Sequence, residues 1–267
     1  AAVAAEVVPL GYDDLAGLEK LAQDVDVVTF EFENVPADSV AWLGAHVPVY
    51  PSAAALATAQ DRAEEKALFS RLGIPIPPMR LVSSEADLHA AVIEIGSPAV
   101  LKTRRLGYDG KGQVVLRSSD DVAGAWAAIG AAPAILEAFV AFDRELSIVS
   151  VRGRDGAMAF YPLAENHHRD GVLRRSLAPA PGWTSGLQRQ AEALARKLLD
   201  TLEYVGVLAI ELFQIGDTLM ANEMAPRVHN SGHWTQDGAV TSQFENHVRA
   251  VLGWPLGDTA ARGACAM

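Results

Sequence analysis

The chain has 267 residues, is 50% hydrophobic and 21% charged, and carries a net charge of −11, an ordinary globular balance with room for one large domain or two to three small ones. That acidity argues against a nucleic-acid or anionic-membrane partner, though a small anionic ligand needs only a local cluster of positive groups. The single cysteine, Cys265, rules out an internal disulfide and fits a cytoplasmic setting; no 18-residue apolar run spans a membrane, and the start AAVAAEVVPL lacks the basic region of a signal peptide.

Residues 15–22 read as a helix leading into a strand at 25–33, where Thr29, Glu31 and Glu33 share one face and Phe30 and Phe32 the other. A short helix to Leu43 and a strand at 47–50, stopped by Pro51, complete an αβαβ order typical of a parallel α/β unit. A glycine-rich dinucleotide turn is absent from this segment, which disfavours a dehydrogenase. A helix over 59–72 follows, closed by Gly73, with Arg62 in its first turn. A cation there opposes the helix dipole, so Arg62 is either solvated or held by an anion. The run 74–78 carries three prolines and reads as a domain boundary.

Residues 81–140 read as a compact unit: a helix entered through a capping box of Ser84 and Asp87, strands at 98–103 and 114–117, a helix at 120–129 and a strand at 134–140. Between the two middle strands lies GYDGKGQ, residues 107–113, whose glycines can expose backbone N–H groups to phosphates, with Lys102 before it and Lys111 within it. It is not a Walker A loop. Strands at 145–152 and 158–163 come next, then AENHHRDGVLRRS, too polar for a core. His167 and His168 are adjacent on a strand, so at most one points into a site. An amphipathic helix spans 183–202 with Leu187, Ala191, Leu194, Leu198 and Leu202 on one stripe, and a last helix spans 242–252.

Two apolar runs, VLAIELF and LMANEMA, flank the turn at Gly216-Asp217, and each carries one carboxylate, Glu211 and Glu223. An apolar strand gains nothing from a carboxylate without a partner. A two-residue loop would pair Glu211 with Asn222; an odd loop centred on Asp217 sets Glu211 opposite Glu223, and the odd loop is the expectation because two carboxylates on one face make a Mg²⁺ site. The segment APRVHNSGH then crowds Arg227, His229, Asn230, Ser231 and His233 into seven residues. His/Cys spacing for zinc and a GxSxG nucleophile are both missing.

The strings FEFENVP, QDRAEEK, LKTRRLGYDGKGQ, LEAFVAFDRELS, YPLAENHHRDG, AIELF, NEMAPRVHNSGHWT and QFENHVRAVLG run through nearly the whole chain. On them the sequence resembles the ATP-grasp superfamily and, within it, the N5-carboxyaminoimidazole ribonucleotide synthase family. The resemblance implies a mixed α/β ATP-grasp fold with a partial Rossmann-like unit: 1–56 the N-terminal α/β remnant, 57–80 a connecting helix and linker, 81–140 a small lid subdomain, and 141–267 the large subdomain. It implies ATP- and bicarbonate-dependent carboxylation of 5-aminoimidazole ribonucleotide through carboxyphosphate, with ATP and Mg²⁺ or Mn²⁺.

By the same resemblance, Arg62 and Lys102 bind phosphates under a flap of Gly107, Tyr108, Asp109, Gly110, Lys111, Gly112 and Gln113. Glu137, Ala138, Phe139 and Val140 line the adenine pocket, Glu145 holds the ribose, and His168 lies beside the nucleotide. Glu211 and Glu223 ligate the metal, assisted by Asn222. Tyr108, Asp109, Arg227, His229, Asn230 and Ser231 face bicarbonate and the ribonucleotide, with Asp109 and Arg227 catalytic. Either Glu31 or Glu33 reaches the same substrate. A homodimer is implied only by the family. Relatives carry a glycine-rich turn before this start and a basic segment after this end, so the chain reads as a piece of a longer protein, weak or inactive alone. Another ATP-grasp carboxylase or ligase, or a silent ATP-binding fragment, are the other readings.

Overall fold

The computed structural model describes residues 4–107, 110–169 and 171–267. In chain order, helices α1 (Leu15–Asp24), α2 (Ala37–Gly44), α3 (Ala53–Gln60) and α4 (Arg62–Arg71) come first. They are followed by β1 (Met79–Val82), α5 (Glu85–Ile95), β2 (Ala99–Thr103), β3 (Gln113–Leu116), α6 (Val122–Ala128) and β4 (Ala134–Ala138). Then come β5 (Arg144–Arg152), β6 (Met158–Phe160), β7 (Ala164–Arg169), β8 (Val172–Ala178) and α7 (Ser185–Thr201). The chain continues with β9 (Gly206–Ile215), β10 (Thr218–Ala225), α8 (Thr235–Gly238), α9 (Gln243–Leu252) and β11 (Cys265–Ala266). No helix among these residues is long and apolar enough to cross a membrane.

The expected strands at 25–33 and 47–50 reduce to a single parallel bridge, Val28 with Val49. Val28 donates to the Pro48 carbonyl and Tyr50 donates to the Val28 carbonyl, both at 2.9 Å. Pro48 and Pro51 bracket this pair and lack the N–H groups that would extend a ladder. The parallel direction is as the αβαβ order implies. The expected helix at 59–72 is two helices. Asp61 breaks it with φ −124° and caps α4, accepting from the Ala63 N–H at 3.0 Å. The break puts Arg62 at the first position of α4, and Gly73 closes the helix at φ 62°.

The small sheet has the order β1-β4-β2-β3, all antiparallel, with α5 and α6 packed on one face around Leu88, Leu101, Leu116 and Leu136. Ser84 does cap α5, but Asp87 reaches back to the N–H of Ser83 rather than Ser84. The reciprocal capping box is Ser118 with Asp121, ahead of α6. The predicted strand at 134–140 stops at Ala138.

The large sheet runs β10-β9-β5-β7-β8-β11, with β6 beside β5. AENHHRDGVLRRS contributes β7 and β8 to it, and its polarity is partly internal: the buried Ser176 hydroxyl donates to the buried Asn166 side-chain oxygen Oδ1 at 2.9 Å. Leu208, Ile210 and Leu212 of β9 face the core built with α7, whose Leu187, Ala191, Leu194 and Leu198 form the expected stripe. Val207 and Ala209 face the other core, closed by Trp234 just before α8 and by Ala250 of α9.

The turn between β9 and β10 corrects the odd-loop expectation. Ile215 pairs with Thr218 across the two-residue turn Gly216-Asp217, with Gly216 at φ 57° as such a turn requires. The pairing stays regular to Ala221 opposite Leu212, then shifts at Asn222, and Glu223 pairs with Glu211. A β-bulge, not the loop, thus inserts the extra residue. Leu219 and Ala221 face the α7 core, and alternation would send Glu223 there too. Past the bulge Met224 takes the core place, and Glu223 joins Glu211 on the opposite face.

Candidate active site

A cleft of about 350 Å³ opens between the two sheets. Arg62, Lys102, Gly107, Gly110, Lys111, Gln113, Glu137, Ala138, Phe139, Val140, Glu145, His168, Glu211, Asn222, Glu223, Arg227, His229 and Asn230 all line it. Of the residues singled out in the sequence, Gly112 packs behind the wall on Thr103, and Ser231 is fully buried behind His229. Tyr108 and Asp109 lie outside the described residues. A smaller adjoining hollow shares Glu33, Arg62, Glu211, Glu223, Arg227 and His229, and adds Gln60 and Glu65. Glu33 reaches the site while Glu31 is exposed: Arg227 Nε donates to the Glu33 carboxylate at 2.8 Å.

The cationic wall is built on the start of α4. Asp61 draws in Arg104 at 2.7 Å and Arg105 at 3.1 Å, and against the cost of its burial Arg104 lowers its pKa. Arg62 is held by an anion: its Nη1 donates to Glu223 Oε2 at 2.6 Å. Burial opposes the guanidinium charge, but Glu223 and Glu65 more than offset it. Lys102 on β2 reaches Glu137 at 2.6 Å and the Asn222 side-chain oxygen at 3.1 Å. Glu137 is also paired with Lys66 at 2.7 Å. Its burial favours the neutral acid, yet the two ammonium groups bring it down to about 2. Glu137 lines the cleft, but its carboxylate is committed to lysines. Lys66, Phe142 and Phe213 escaped the sequence reading as site residues. Phe142 and Phe213 stack at 4.7 Å and 6° beside Phe139, forming an apolar, aromatic wall.

The anionic wall is the bulge. Burial and the neighbouring Glu223 push Glu211 up to about 7. Burial acts on Glu223 in the same sense, but Arg62 and Lys102 hold it at about 2. Asn222 Nδ2 donates weakly to Glu211 at 3.4 Å. His168 and Glu145 are hydrogen-bonded, and that bond raises the His168 pKa against its burial. His167 turns away to Glu165 at 2.8 Å, so one of the adjacent histidines serves the site.

His229 is half-buried; desolvation, with Arg227 nearby, pushes it down to about 4, hence neutral. Its Nδ1 accepts from the Ser231 N–H at 3.3 Å, which puts its proton on Nε2, 3.5 Å from Glu211. Gln243 of α9 clamps the backbone of His229 with two bonds, at 3.0 and 2.8 Å. A Cβ on Gly232 would sit 2.4 Å from Gln243 Oε1, so the clamp requires glycine there. Gln243 was legible only as a polar residue at the start of an amphipathic helix.

Two sheets closing on one cleft, with lysine and arginine on one side and paired carboxylates on the other, define an ATP-grasp protein. The sequence matches the ATP-grasp domain family over residues 67–244 and the ribonucleotide synthetase preATP-grasp domain over 1–60. The chain belongs to the N5-carboxyaminoimidazole ribonucleotide synthase family. It is 55% identical to the synthase of Pseudomonas aeruginosa over all of this chain and 73% of that protein. The crystal structure of the Thermus thermophilus synthetase superposes with a TM-score of 0.93 at 52% identity, covering 98% of this chain and 71% of that one. The Aspergillus clavatus synthase in complex with ADP and 5-aminoimidazole ribonucleotide superposes at 0.89 with 29% identity, covering 96% and 68%.

Proposed function

We propose that the large cleft holds ATP and the smaller hollow holds bicarbonate and 5-aminoimidazole ribonucleotide, and that the site carboxylates the ribonucleotide amine to the N5 carbamate. The observation that carries this reading is the shared wall: Glu211, Glu223, Arg62 and Arg227 border both spaces. A phosphoryl group leaving one space therefore meets its acceptor in the other. Phe139, Phe142 and Phe213 offer an adenine ring its apolar slot, and Glu145 with His168 offers polar groups to the ribose. Bicarbonate attacks the γ-phosphate, forming carboxyphosphate and ADP. Arg62 and Lys102 offset the charge on the phosphate oxygens, and Arg227 orients the acceptor. Carboxyphosphate breaks its C–O bond to give CO₂ and inorganic phosphate, and the amine captures the CO₂, losing a proton for which Asp109 is the candidate acceptor.

The residues fit a divalent cation. Glu211 and Glu223 share one face, and Glu211 is raised to about 7 partly because Glu223 is beside it, a repulsion that a cation between them relieves. Among the described residues no third His, Cys, Asp or Glu joins them. That suits Mg²⁺, which takes one or two carboxylates and completes its shell with phosphates and water. When bound, the ion neutralises charge on the transferring phosphoryl group.

A phosphate-release assay with ATP, Mg²⁺, bicarbonate and 5-aminoimidazole ribonucleotide tests the reading, repeated on Glu223→Gln. Release should depend on bicarbonate and rise with the ribonucleotide, and the variant should lose about 10²-fold or more, as expected for a lost charge-stabilising group. Full activity in Glu223→Gln would remove the carboxylate pair from the mechanism.

A further inference from the structure

Arg62, Glu65 and Lys66 stand on one face of α4, at i, i+3 and i+4. All three reach β10, and their contacts fall on three consecutive residues. Lys66 Nζ donates to the Asn222 carbonyl at 2.5 Å, Arg62 holds the Glu223 carboxylate, and Glu65 accepts from the Met224 N–H at 2.6 Å. A bulge leaves its extra residue outside the ladder, and a buried backbone carbonyl without a donor is costly. Asn222 is that residue, and Lys66 is the donor. Lys66 is 1% exposed and lines neither hollow of the site, so it does not touch a ligand there. The same ammonium pairs with Glu137 on β4, which in turn pairs with Lys102 on β2. One buried nitrogen therefore ties the bulge of the large sheet to the strands of the small sheet that present Lys102.

We propose that Lys66 is a positioning residue for the reaction: hydrogen-bonded to the Asn222 carbonyl and at the same time ion-paired with the Glu137 carboxylate, it holds the bulge that sets Glu223 beside Glu211 and aims Lys102 into the cleft. The proposal rests on the nucleotide reading above. An ammonium suits the task because its three donors radiate from one atom. A guanidinium spreads its donors over a plane and reaches the two acceptors only with displacement. A purely structural lysine would change stability and leave the folded protein's ligand affinities alone.

The test is calorimetric titration of ADP, with and without Mg²⁺, into the wild type and Lys66→Met, with folding checked by circular dichroism. In the wild type, Mg²⁺ should tighten ADP binding. In Lys66→Met, that enhancement should fall by about tenfold or more, because Glu223 no longer stands in register with Glu211. Metal-free ADP binding should weaken as well, because Lys102 loses its bracing. A folded Lys66→Met with both dissociation constants near wild type overturns the proposal. Where Lys66→Met does not fold, Lys66→Arg decides: an intermediate loss, about threefold, supports the role, and wild-type binding overturns it. Absence of ADP binding by the wild type would overturn the nucleotide reading itself, so the two failures are told apart.

Discussion

Replacing Glu137 by glutamine tests whether a buried carboxylate between two lysines holds the small sheet in place. Glu137 is 2% exposed and sits 2.7 Å from Lys66 and 2.6 Å from Lys102. Its pKa falls from 4.5 to about 2, which at about 1.4 kcal/mol per unit corresponds to roughly 3 kcal/mol of stability at neutral pH. Breaking a buried pair by removing one partner costs a similar amount, about 3–5 kcal/mol, because the other charges stay behind. Glutamine keeps the shape and strands two ammonium groups on one neutral amide, so roughly 3 kcal/mol should be lost at pH 7. At about 2–4 °C per kcal/mol, the melting temperature should drop by roughly 6–12 °C. The pH dependence carries the sign. A depressed carboxylate stabilises above its unfolded value, and that stabilisation is lost as pH falls from 4.5 toward 2. Urea unfolding of wild type and variant across that window should give curves that differ at pH 5 and converge only as pH approaches 2. A variant within about 0.5 kcal/mol of wild type at pH 7, the range of an ordinary surface change, would refute the argument.

Two further changes probe other parts of the molecule. Gly112→Ala places a side chain at φ 73°, where its Cβ would lie 2.6 Å from Thr103 Oγ1; the left-handed backbone alone costs about 1–2 kcal/mol, and steady-state kinetics should show a raised KM for ATP, whereas an unchanged KM would separate this glycine from nucleotide binding. His247 is buried, its Nδ1 accepts from the Val207 N–H at 3.1 Å, its Nε2 bonds Thr29 at 2.8 Å, and its burial pushes it from 6.5 down to about 4. Between those values the unfolded chain binds the extra proton, so stability from this group is present above pH 6.5 and lost as pH falls toward 4. His247→Gln should therefore show a shallower fall than wild type in urea unfolding across that interval, and parallel curves would count against the neutral buried imidazole.

Local elements with strong periodic signals were legible in the sequence. The α7 stripe from Leu187 to Leu198 follows from spacing alone, because a helix must bury one face. Elements whose boundaries depend on distant partners were not. The Asp61 break is made by Arg104 and Arg105 more than 40 positions away in sequence, and the 25–33 run pairs only as far as Pro48 and Pro51 permit. The polar stretch at β7 and β8 enters the sheet because Asn166 and Ser176 satisfy each other.

The same division holds at the site. The chemical inventory was set by sequence: two carboxylates in apolar strands, Lys102 ahead of a glycine-rich loop, and a donor-rich segment at 225–233, since such residue types are costly in those places without a partner. Tertiary structure decided the geometry. It moved the extra residue from the turn at Asp217 to a bulge at Asn222, because only α4, brought across by the fold, offers Lys66 to the unpaired carbonyl. It chose Glu33 over Glu31 by the reach of Arg227. It also turned Glu137 toward Lys66 and Lys102, a pairing between strand and helix that strand alternation cannot reveal.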